Sequence, residues 1–489
     1  MKPFHIAIGV AVGAIVVSGY LVARSKLQHA ANGRAIEKLV KEYKEMGVAT
    51  NGEEYFHKIP DSENSWAELQ PLQTKTTGPD PVKVIFDPGI SLTLVRFAGR
   101  NDIDVLDRYL AENKSTREAI ATVLGQKPKI QVPHDYNEGD MMLVPECAFF
   151  RNAAREFCVA ALRSGIQGNA EEATMNLQVA CDFANSCLER GDWIARAVGT
   201  SIQLTVIQTA LRIIEEAPNL YQPIRDFMTT NDRFVVYDMK PFFRYEFLSQ
   251  IASIRYFDSP LIDVSEPPFP LNKLKKAPTN EDLYFEAHPR PGDYVPESAA
   301  DQKYLLAVME AWKPLMRQVV ESKGNEFFPS FSKYEAVLSV QSQEPESLKK
   351  VYDLSESSQA SEDGYKQLFR NKQLADANQA IWKILDVKRK TGKYPAKLDA
   401  VGVDFSSFSV LGGILYKLTE NGFILQTRPV TAGDGAPDFI ISYPATTHLP
   451  LKSQQKQKQD VQDYRKGVID RLGQRPKAGR PTSPLPSGD

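Results

Sequence analysis

The feature that most constrains this chain is an uncharged stretch close to its start. Residues 4–23, FHIAIGVAVGAIVVSGYLVA, contain no Asp, Glu, Lys or Arg. At about 1.5 Å per helical residue, a run of this length matches the ~30 Å hydrocarbon layer of a bilayer. Lipid offers no partner for backbone N–H and C=O groups, so the run must be helical there. Lys2, Arg24 and Lys26 flank it. The sequence therefore predicts one transmembrane helix over 4–23, with the lipid bilayer as its partner.

A cleaved signal peptide is the main alternative for this stretch. The apolar run exceeds the about 7 to 15 residues of a signal peptide, and neither LVA before Arg24 nor HAA before Asn32 fits a small-x-small cleavage site. The Lys and Arg distribution alone leans towards a cytoplasmic body. A short stub before a long soluble region is nevertheless typical of a bacterial signal anchor. We therefore expect a single-pass protein of the cell inner membrane with an extracytoplasmic body.

Beyond the anchor, hydrophobic periodicity predicts a mainly α-helical chain that ends in a small antiparallel β-sheet, an α+β body. An amphipathic juxtamembrane helix is expected at 24–47, because Ile36, Leu39 and Tyr43 form one apolar stripe. The other predicted regions are an irregular segment with short strands at 48–100, a helical-hairpin body at 101–353, a long helix with the sheet at 365–444, and a disordered polar tail at 445–489.

The boundaries of several elements can be predicted from turn residues. Glycine and asparagine turns divide three successive helices: Cys147–Arg163, Ala170–Glu189 and Trp193–Glu216. A polar run at 341–364 is expected to form a flexible junction before a long helix at Tyr365–Thr391. Alternating apolar residues predict strands at Val82–Phe86, Ser91–Phe97, Ile414–Leu418, Phe423–Thr427 and Phe439–Tyr443.

The four cysteines all fall within the predicted hairpin helices. They lack the close CxxC spacing of a zinc site. With a turn at 165–168, Cys158 could face Cys181 and Cys147 could face Cys187. Two interpretations remain open. The pairs could form disulfides outside the cytoplasm, or all four could be buried free thiols, which the packing behaviour of free cysteine favours.

Motifs that would identify a catalytic mechanism are missing from the sequence, so the catalytic residues stay unknown. No HExxH, GxSxG, Walker A or GxGxxG motif occurs. The net charge of −2 gives no indication of a nucleic-acid partner. Two polar clusters could each supply an acid and a base on a loop: His134, Asp135, Tyr136, Glu138 and Asp140, and Glu286, His288 and Asp293.

One passage near the C-terminus has a recognisable order of elements. A long helix is followed by Gly392-Lys393-Tyr394-Pro395, then GGILYKLTENGFILQT, then an Asp-Gly loop. This order resembles the end of uncharacterised membrane-anchored bacterial proteins of planctomycete and verrucomicrobial type, and more weakly the end of type II secretion major pseudopilins. The pseudopilin resemblance implies a helix packed on a small sheet, with Asp434 and Asp438 as candidate calcium ligands. An ordinary Asp-Gly turn is the simpler interpretation, and no other cofactor is expected.

These observations favour a membrane-tethered envelope protein whose helical body binds a protein partner, without identified catalysis. An envelope hydrolase with an acidic loop site is one alternative. An accessory component of a secretion or pilus-like system is another, and it depends on the C-terminal resemblance alone.

Overall fold

The computed structural model of this protein is mainly helical and carries a small antiparallel sheet near its C-terminus. It describes residues 3–75, 107, 110–137, 144–230, 239–257, 296, 299–322, 331–341, 354–402, 414–427 and 440–444. The α-helices in this part are α1 (Pro3–Glu45), α2 (Gly52–Tyr55), α3 (Trp66–Leu69), α4 (Lys114–Gln126), α5 (Glu146–Ile166), α6 (Ala170–Glu189), α7 (Trp193–Glu216), α8 (Tyr221–Thr230), α9 (Lys240–Phe257), α10 (Ala299–Glu321), α11 (Phe331–Gln341) and α12 (Leu354–Thr391). The strands are β1 (Ile414–Leu418), β2 (Phe423–Thr427) and β3 (Ile440–Tyr443).

Two groups of buried apolar side chains hold these elements together. The first cluster joins α3 to α8, the C-terminal half of α12 and the sheet. The second cluster joins the end of α1 to α9, α10 and α11. Each buried Leu, Ile or Phe contributes roughly 1.5–3 kcal/mol by leaving water, so both clusters are large sources of stability.

Helix α1 is one uninterrupted helix that includes both predicted N-terminal segments. Its residues from Ala23 to Ala31 are exposed, whereas Ile36, Leu39 and Tyr43 are buried in the second cluster. The helix ends where Gly47 takes a left-handed φ of 73°, a conformation that glycine adopts without steric cost. A helix is therefore present over most of residues 24–47, and it continues without a break from residues 3–23.

Polar contacts fix the direction of α1 against α10. The Asn32 side chain donates to the Ala299 carbonyl oxygen at 3.4 Å, and Lys313 Nζ lies 2.5 Å from a Glu42 carboxylate oxygen. Tyr43 donates from its buried hydroxyl to the Met309 carbonyl oxygen at 2.5 Å. Contacts advance along both helices together, so α1 and α10 run parallel. The C-terminal end of α10 therefore lies far from the start of α1.

Helices α5, α6 and α7 correspond to the three successive helices that the sequence predicted. The bounds of α6 and α7 agree with the prediction. Asn169 caps α6 by accepting from the Glu172 N–H at 3.1 Å, and Asp192 caps α7 by accepting from the Ala195 N–H at 2.7 Å. Within the described residues, α7 is the helix that could cross a membrane by length and composition, yet 61% of its apolar window is buried in the body. We therefore regard α7 as a core helix.

The C-terminal strands form a sheet in the order β1-β2-β3. Leu418 pairs with Phe423 next to the predicted turn, and Leu425 pairs with Ile441. Phe423, Leu425 and Ile441 are buried in the first cluster together with residues of α12. Helix α12 and the sheet therefore share one hydrophobic core. Tyr416 on β1 donates to the Pro395 carbonyl oxygen at 2.8 Å.

The predicted flexible junction before α12 is partly wrong. The helix starts at Leu354 instead of Tyr365. The polar residues that suggested a linker do not prevent a helix. Helix α11 was not predicted at all. Residues 82–86 and 91–97 and the tail at 445–489 lie outside the described residues, so the predictions made there stay predictions.

All four cysteines are buried free thiols. The thiols of Cys147 on α5 and Cys187 on α6 are hydrogen-bonded to each other, which confirms that these two residues face each other. Cys158 and Cys181 interact electrostatically, while the Cys158 thiol is hydrogen-bonded to Thr209 on α7. Burial raises the pKa of Cys158 to about 12 and that of Cys181 well above its ordinary value, so both stay protonated at neutral pH.

Candidate functional site

A cavity of about 600 Å³ opens where the two clusters meet. This volume lies in the range of about 300–1,000 Å³ that small-molecule sites occupy. Its walls come from five separate parts of the chain: the end of α1, residues 54–59, residues 129–136, the end of α6 and the start of α9.

Aromatic rings form one wall of the cavity. The Tyr136 ring centroid lies 4.9 Å from that of Tyr55 and 5.9 Å from that of Phe56, and the Phe56 ring is stacked on it. Tyr55 donates from its hydroxyl towards the carbonyl oxygens of Arg190 at 3.2 Å and Pro241 at 3.4 Å. Burial raises the pKa of Tyr136 to about 12 and also raises that of Tyr55. Both hydroxyls therefore remain protonated donors at neutral pH.

Hydrogen bonds through Asn137 and Gln131 hold the loops that carry this wall. Asn137 accepts from the Gly52 N–H at 2.7 Å, so the start of α2 is fixed to the loop after Tyr136. Gln131 accepts from the Ile59 N–H at 2.8 Å and donates to the His57 carbonyl oxygen at 2.9 Å. The aromatic wall is thus positioned by contacts between segments that are far apart in sequence.

Charged side chains surround the cavity, with an excess of cations. Four basic residues line it against two acidic ones: Lys44, Lys129, Arg190 and Arg244 against Glu54 and Glu189. Several are already paired: Lys44 Nζ lies 2.7 Å from Glu54 and Lys129 Nζ lies 2.6 Å from Glu63. Arg244 is exposed, and no carboxylate of the described residues forms an ion pair with it. It can therefore interact with an anion that enters the cavity.

Glu189 is an exposed carboxyl at the cavity wall, and its pKa is raised. Desolvation by the surrounding protein raises the pKa of its carboxyl, while the nearby Lys129 acts in the opposite direction. A carboxylic acid with a raised pKa beside a cavity is a common arrangement for a general acid or a proton-dependent binding group.

A buried ion cluster lies directly behind the cavity. Glu146 and Arg190 form an ion pair through Arg190 Nη1, with only 2% and 8% of their side chains exposed. His134 Nε2 lies 3.1 Å from the same Glu146 oxygen, and Arg190 Nε lies 3.1 Å from Asp192. Arg190 Nη2 has no hydrogen-bond partner among the described residues. The cluster joins the start of α5 to the turn between α6 and α7, so it fixes Arg190 at the cavity wall.

Gly191 allows this turn to approach the start of α9. Its φ is 90°, and a Cβ built on it would lie 2.5 Å from the Pro241 carbonyl oxygen. No residue with a side chain fits there without displacing backbone. The contact joins the two clusters beside the cavity.

Some residues of this site were predicted from the sequence. Of the predicted loop cluster, Tyr136 lines the cavity, His134 belongs to the buried ion cluster, and Asp135 accepts from the Asn137 N–H at 3.0 Å in a local turn. Residues that lie outside the described part of the chain are Glu138, Asp140, the cluster Glu286, His288 and Asp293, and the candidate calcium ligands Asp434 and Asp438.

Sequence reasoning missed Lys44, Glu54, Glu189 and Arg190. For Glu189 and Arg190, the local signal was a charged pair at a helix end, immediately before Gly191-Asp192. Among the described residues, no group of three or more His, Cys, Asp or Glu side chains is arranged to hold a metal ion. In comparisons with known proteins, no family model, curated protein or solved structure matches this chain.

Proposed function

We propose that this chain is a single-pass inner-membrane protein whose helical body, held outside the cytoplasm, binds a protein partner through the cavity and does not itself catalyse a reaction. The observation that best supports the tether is the continuity of α1. The uncharged residues 4–23 and the buried stripe Ile36, Leu39 and Tyr43 belong to one helix. A continuous helix holds the body at a fixed distance from the membrane.

In the proposed arrangement, the length of α1 holds the cavity well away from the membrane. At about 1.5 Å per residue, the helical stretch from Ala23 to Glu45 spans roughly 33 Å. Lys44, at the far end of this stretch, lines the cavity. A site at this height is accessible to a soluble partner or to another envelope protein.

Membrane extraction tests the tether. The full chain should stay in the membrane pellet after alkaline carbonate washing and be released only by detergent. A variant that lacks residues 4–23 should be released by the wash. Recovery of the intact chain in the soluble fraction without detergent would contradict the proposal. A reporter fused after residue 444 would establish on which side of the membrane the body lies.

The cavity favours a partner that presents an anionic group beside a flat apolar group. Tyr55, Phe56 and Tyr136 offer apolar and aromatic surface, while Arg244 offers a charge-assisted hydrogen bond to a carboxylate or similar anion. The Tyr55 and Tyr136 hydroxyls remain protonated at neutral pH, so they do not repel an anion.

Naphthalene-1-sulfonate is a suitable probe because it combines a flat aromatic ring with one negative charge. Calorimetric titration of the full chain in lipid nanodiscs, with empty nanodiscs subtracted, should give saturable binding that is stronger than for uncharged naphthalene-1-sulfonamide. Arg244→Gln should remove this difference, whereas Arg317→Gln, an exposed arginine on α10, should leave it unchanged. Ala49→Trp should fill the cavity and abolish binding of both compounds. Equal binding to the Arg244→Gln variant and the wild type would contradict the proposed anion contact.

An envelope hydrolase with an acidic site is the second candidate, favoured by the raised pKa of Glu189 in the cavity that Tyr136 also lines. Nitrophenyl esters and glycosides are suitable test substrates. Hydrolysis by the wild type that is lost in Glu189→Gln would favour this candidate over the binding protein. If the wild type hydrolyses none of these esters and glycosides, the binding function is favoured over the hydrolase.

The predicted calcium site remains a further proposal. Titration of the full chain with calcium, followed by intrinsic fluorescence, should give a saturable change that the double variant Asp434→Asn and Asp438→Asn lacks. No change in the wild type would favour the simple Asp-Gly turn.

A further inference from the structure

Two of the four cysteines are arranged differently from the others. Cys147 lies in the first turn of α5 and Cys187 in the last turn of α6, and the thiols are hydrogen-bonded to each other. Both residues are at most 4% exposed. They lie at the open end of the hairpin, opposite its turn, where a bond would join the two helices across the whole hairpin.

The second pair lacks this arrangement. Cys158 and Cys181 are near each other, but the hydrogen-bond partner of the Cys158 thiol is Thr209 on α7. A disulfide between them would require Cys158 to leave that contact inside a close-packed core. Cys158 and Cys181 therefore serve as an internal control for disulfide formation within the same hairpin.

Helix α7 also contacts Cys187. Gly199 on α7 approaches it so closely that a Cβ built on the glycine would lie 3.1 Å from Cys187 Cβ. Helix α7 thus packs closely against Cys187. Two thiols in contact on packed helices need only a small displacement to reach the geometry of a disulfide.

We propose that Cys147 and Cys187 form a disulfide when the chain folds in the presence of a small-molecule or protein disulfide donor, whereas Cys158 and Cys181 remain thiols. The Cys147 thiolate attacks one sulfur of the donor disulfide, which forms a mixed disulfide and releases one donor thiol. The Cys187 thiolate then attacks the Cys147 sulfur and releases the second donor thiol. Two protons pass from the cysteines to the donor thiols, the cysteine pair is oxidised by two electrons, and the donor is reduced.

The bond must form before the helices pack fully. The hydrogen bond to Cys147 and burial raise the pKa of Cys187 well above its ordinary value, so the folded chain holds little of the reactive thiolate. For the same reason the bond, once formed and buried, should resist reduction. The proposal does not depend on the function of the cavity, and its test does not depend on the membrane side of the body.

Refolding with glutathione and mass spectrometry tests the pairing directly. The full chain in detergent is unfolded, refolded with oxidised and reduced glutathione, trapped with N-ethylmaleimide and digested without reduction. Trypsin leaves Cys181 and Cys187 on one peptide, so an endoprotease that cuts before Asp182 is added to separate them. We expect linked Cys147 and Cys187 peptides and alkylated Cys158 and Cys181. Four alkylated cysteines, or any other pairing, would overturn the proposal.

Unfolding measurements provide a second readout. A bond across the 40-residue separation from Cys147 to Cys187 should lower the unfolding constant roughly a hundredfold to a thousandfold. The denaturant midpoint of oxidised wild type and of Cys158→Ser should therefore fall on adding dithiothreitol. The midpoint of Cys147→Ser should not respond, and Cys187→Ala replaces this variant if it fails to fold. A response of equal size in all three proteins would contradict the pairing.

Discussion

Alanine substitutions at two glycines test the close contact beside the cavity. Gly191 and Gly168 have similar left-handed φ values, 90° and 81°. A Cβ at Gly191 would lie 2.5 Å from the Pro241 carbonyl oxygen, whereas a Cβ at Gly168 would meet nothing within 4 Å. The two substitutions thus impose similar backbone strain, but only Gly191→Ala forces two backbone segments apart.

The expected losses in the free energy of unfolding follow from two effects, the strain of a left-handed backbone and the overlap of the new Cβ with neighbouring backbone. A left-handed conformation costs a residue with a side chain about 1–2 kcal/mol, so Gly168→Ala should lower the free energy of unfolding by that amount. Overpacking adds typically about 1–3 kcal/mol, so Gly191→Ala should lose roughly 2–5 kcal/mol. The difference between the variants measures the cost of separating the turn after α6 from the start of α9.

Urea unfolding of the full chain in detergent, followed by tryptophan fluorescence, measures both variants under the same conditions. Calorimetry with naphthalene-1-sulfonate should also show weaker binding by Gly191→Ala alone, because Arg190 and Pro241 both line the cavity. Equal destabilisation by the two substitutions, with unchanged binding in both, would refute the close approach and its connection to the cavity.

Three further predictions concern charges and hydrogen bonds. Glu146→Gln should cost about 3–5 kcal/mol in urea unfolding, because it leaves the buried Arg190 without its main partner, and a loss below about 1 kcal/mol would contradict a buried ion pair. The pKa of Glu189 is raised in the folded chain, so binding of a proton to this carboxyl stabilises the fold. This contribution to the free energy of unfolding is complete below about pH 4.5 and is lost as the pH rises through the folded-state pKa. Glu189→Gln should therefore be more stable than the wild type at neutral pH, with the difference closing in acid, and the opposite pH trend would exclude a desolvated carboxyl. Tyr43→Phe should cost about 1–3 kcal/mol, because it leaves the buried Met309 carbonyl oxygen without this donor, and an unchanged urea midpoint would contradict the contact between α1 and α10.

The elements that sequence reasoning located correctly carry their own boundary signals. Asn169 and Asp192 cap α6 and α7 with their side chains, and the Glu420-Asn421-Gly422 turn sets the β1-β2 register. The prediction that Cys147 faces Cys187 also used a turn signal, because a short turn between two helices fixes which residues oppose each other. Helix α11 was missed because it is only 11 residues long and has no clear apolar stripe, so its tertiary contacts decide its structure. The first part of α12 was missed because it is polar, and it forms as part of a much longer helix.

The cavity could not be predicted in the same way. Its walls bring Lys44 together with Arg244, which is 200 residues away in the sequence. Each contributing segment is short and unremarkable alone, and only the packing of α1 and α9 beside the hairpin brings the segments together. Tyr136 was in a predicted cluster because its polar neighbours drew attention to the loop, while its role as an aromatic wall depends on Tyr55 and Phe56.

The continuity of α1 between membrane and body is the central claim, and a distance between two spin labels tests it most directly. Lys26→Cys and Glu45→Cys place labels on two exposed positions of α1, while the four native thiols are buried. For an unbroken helix in lipid nanodiscs, double electron–electron resonance should give one narrow distribution centred near ~28 Å between the labelled backbone positions. A broad distribution, or one centred well below that distance, would show a break in α1 between residues 26 and 45 and would contradict the account.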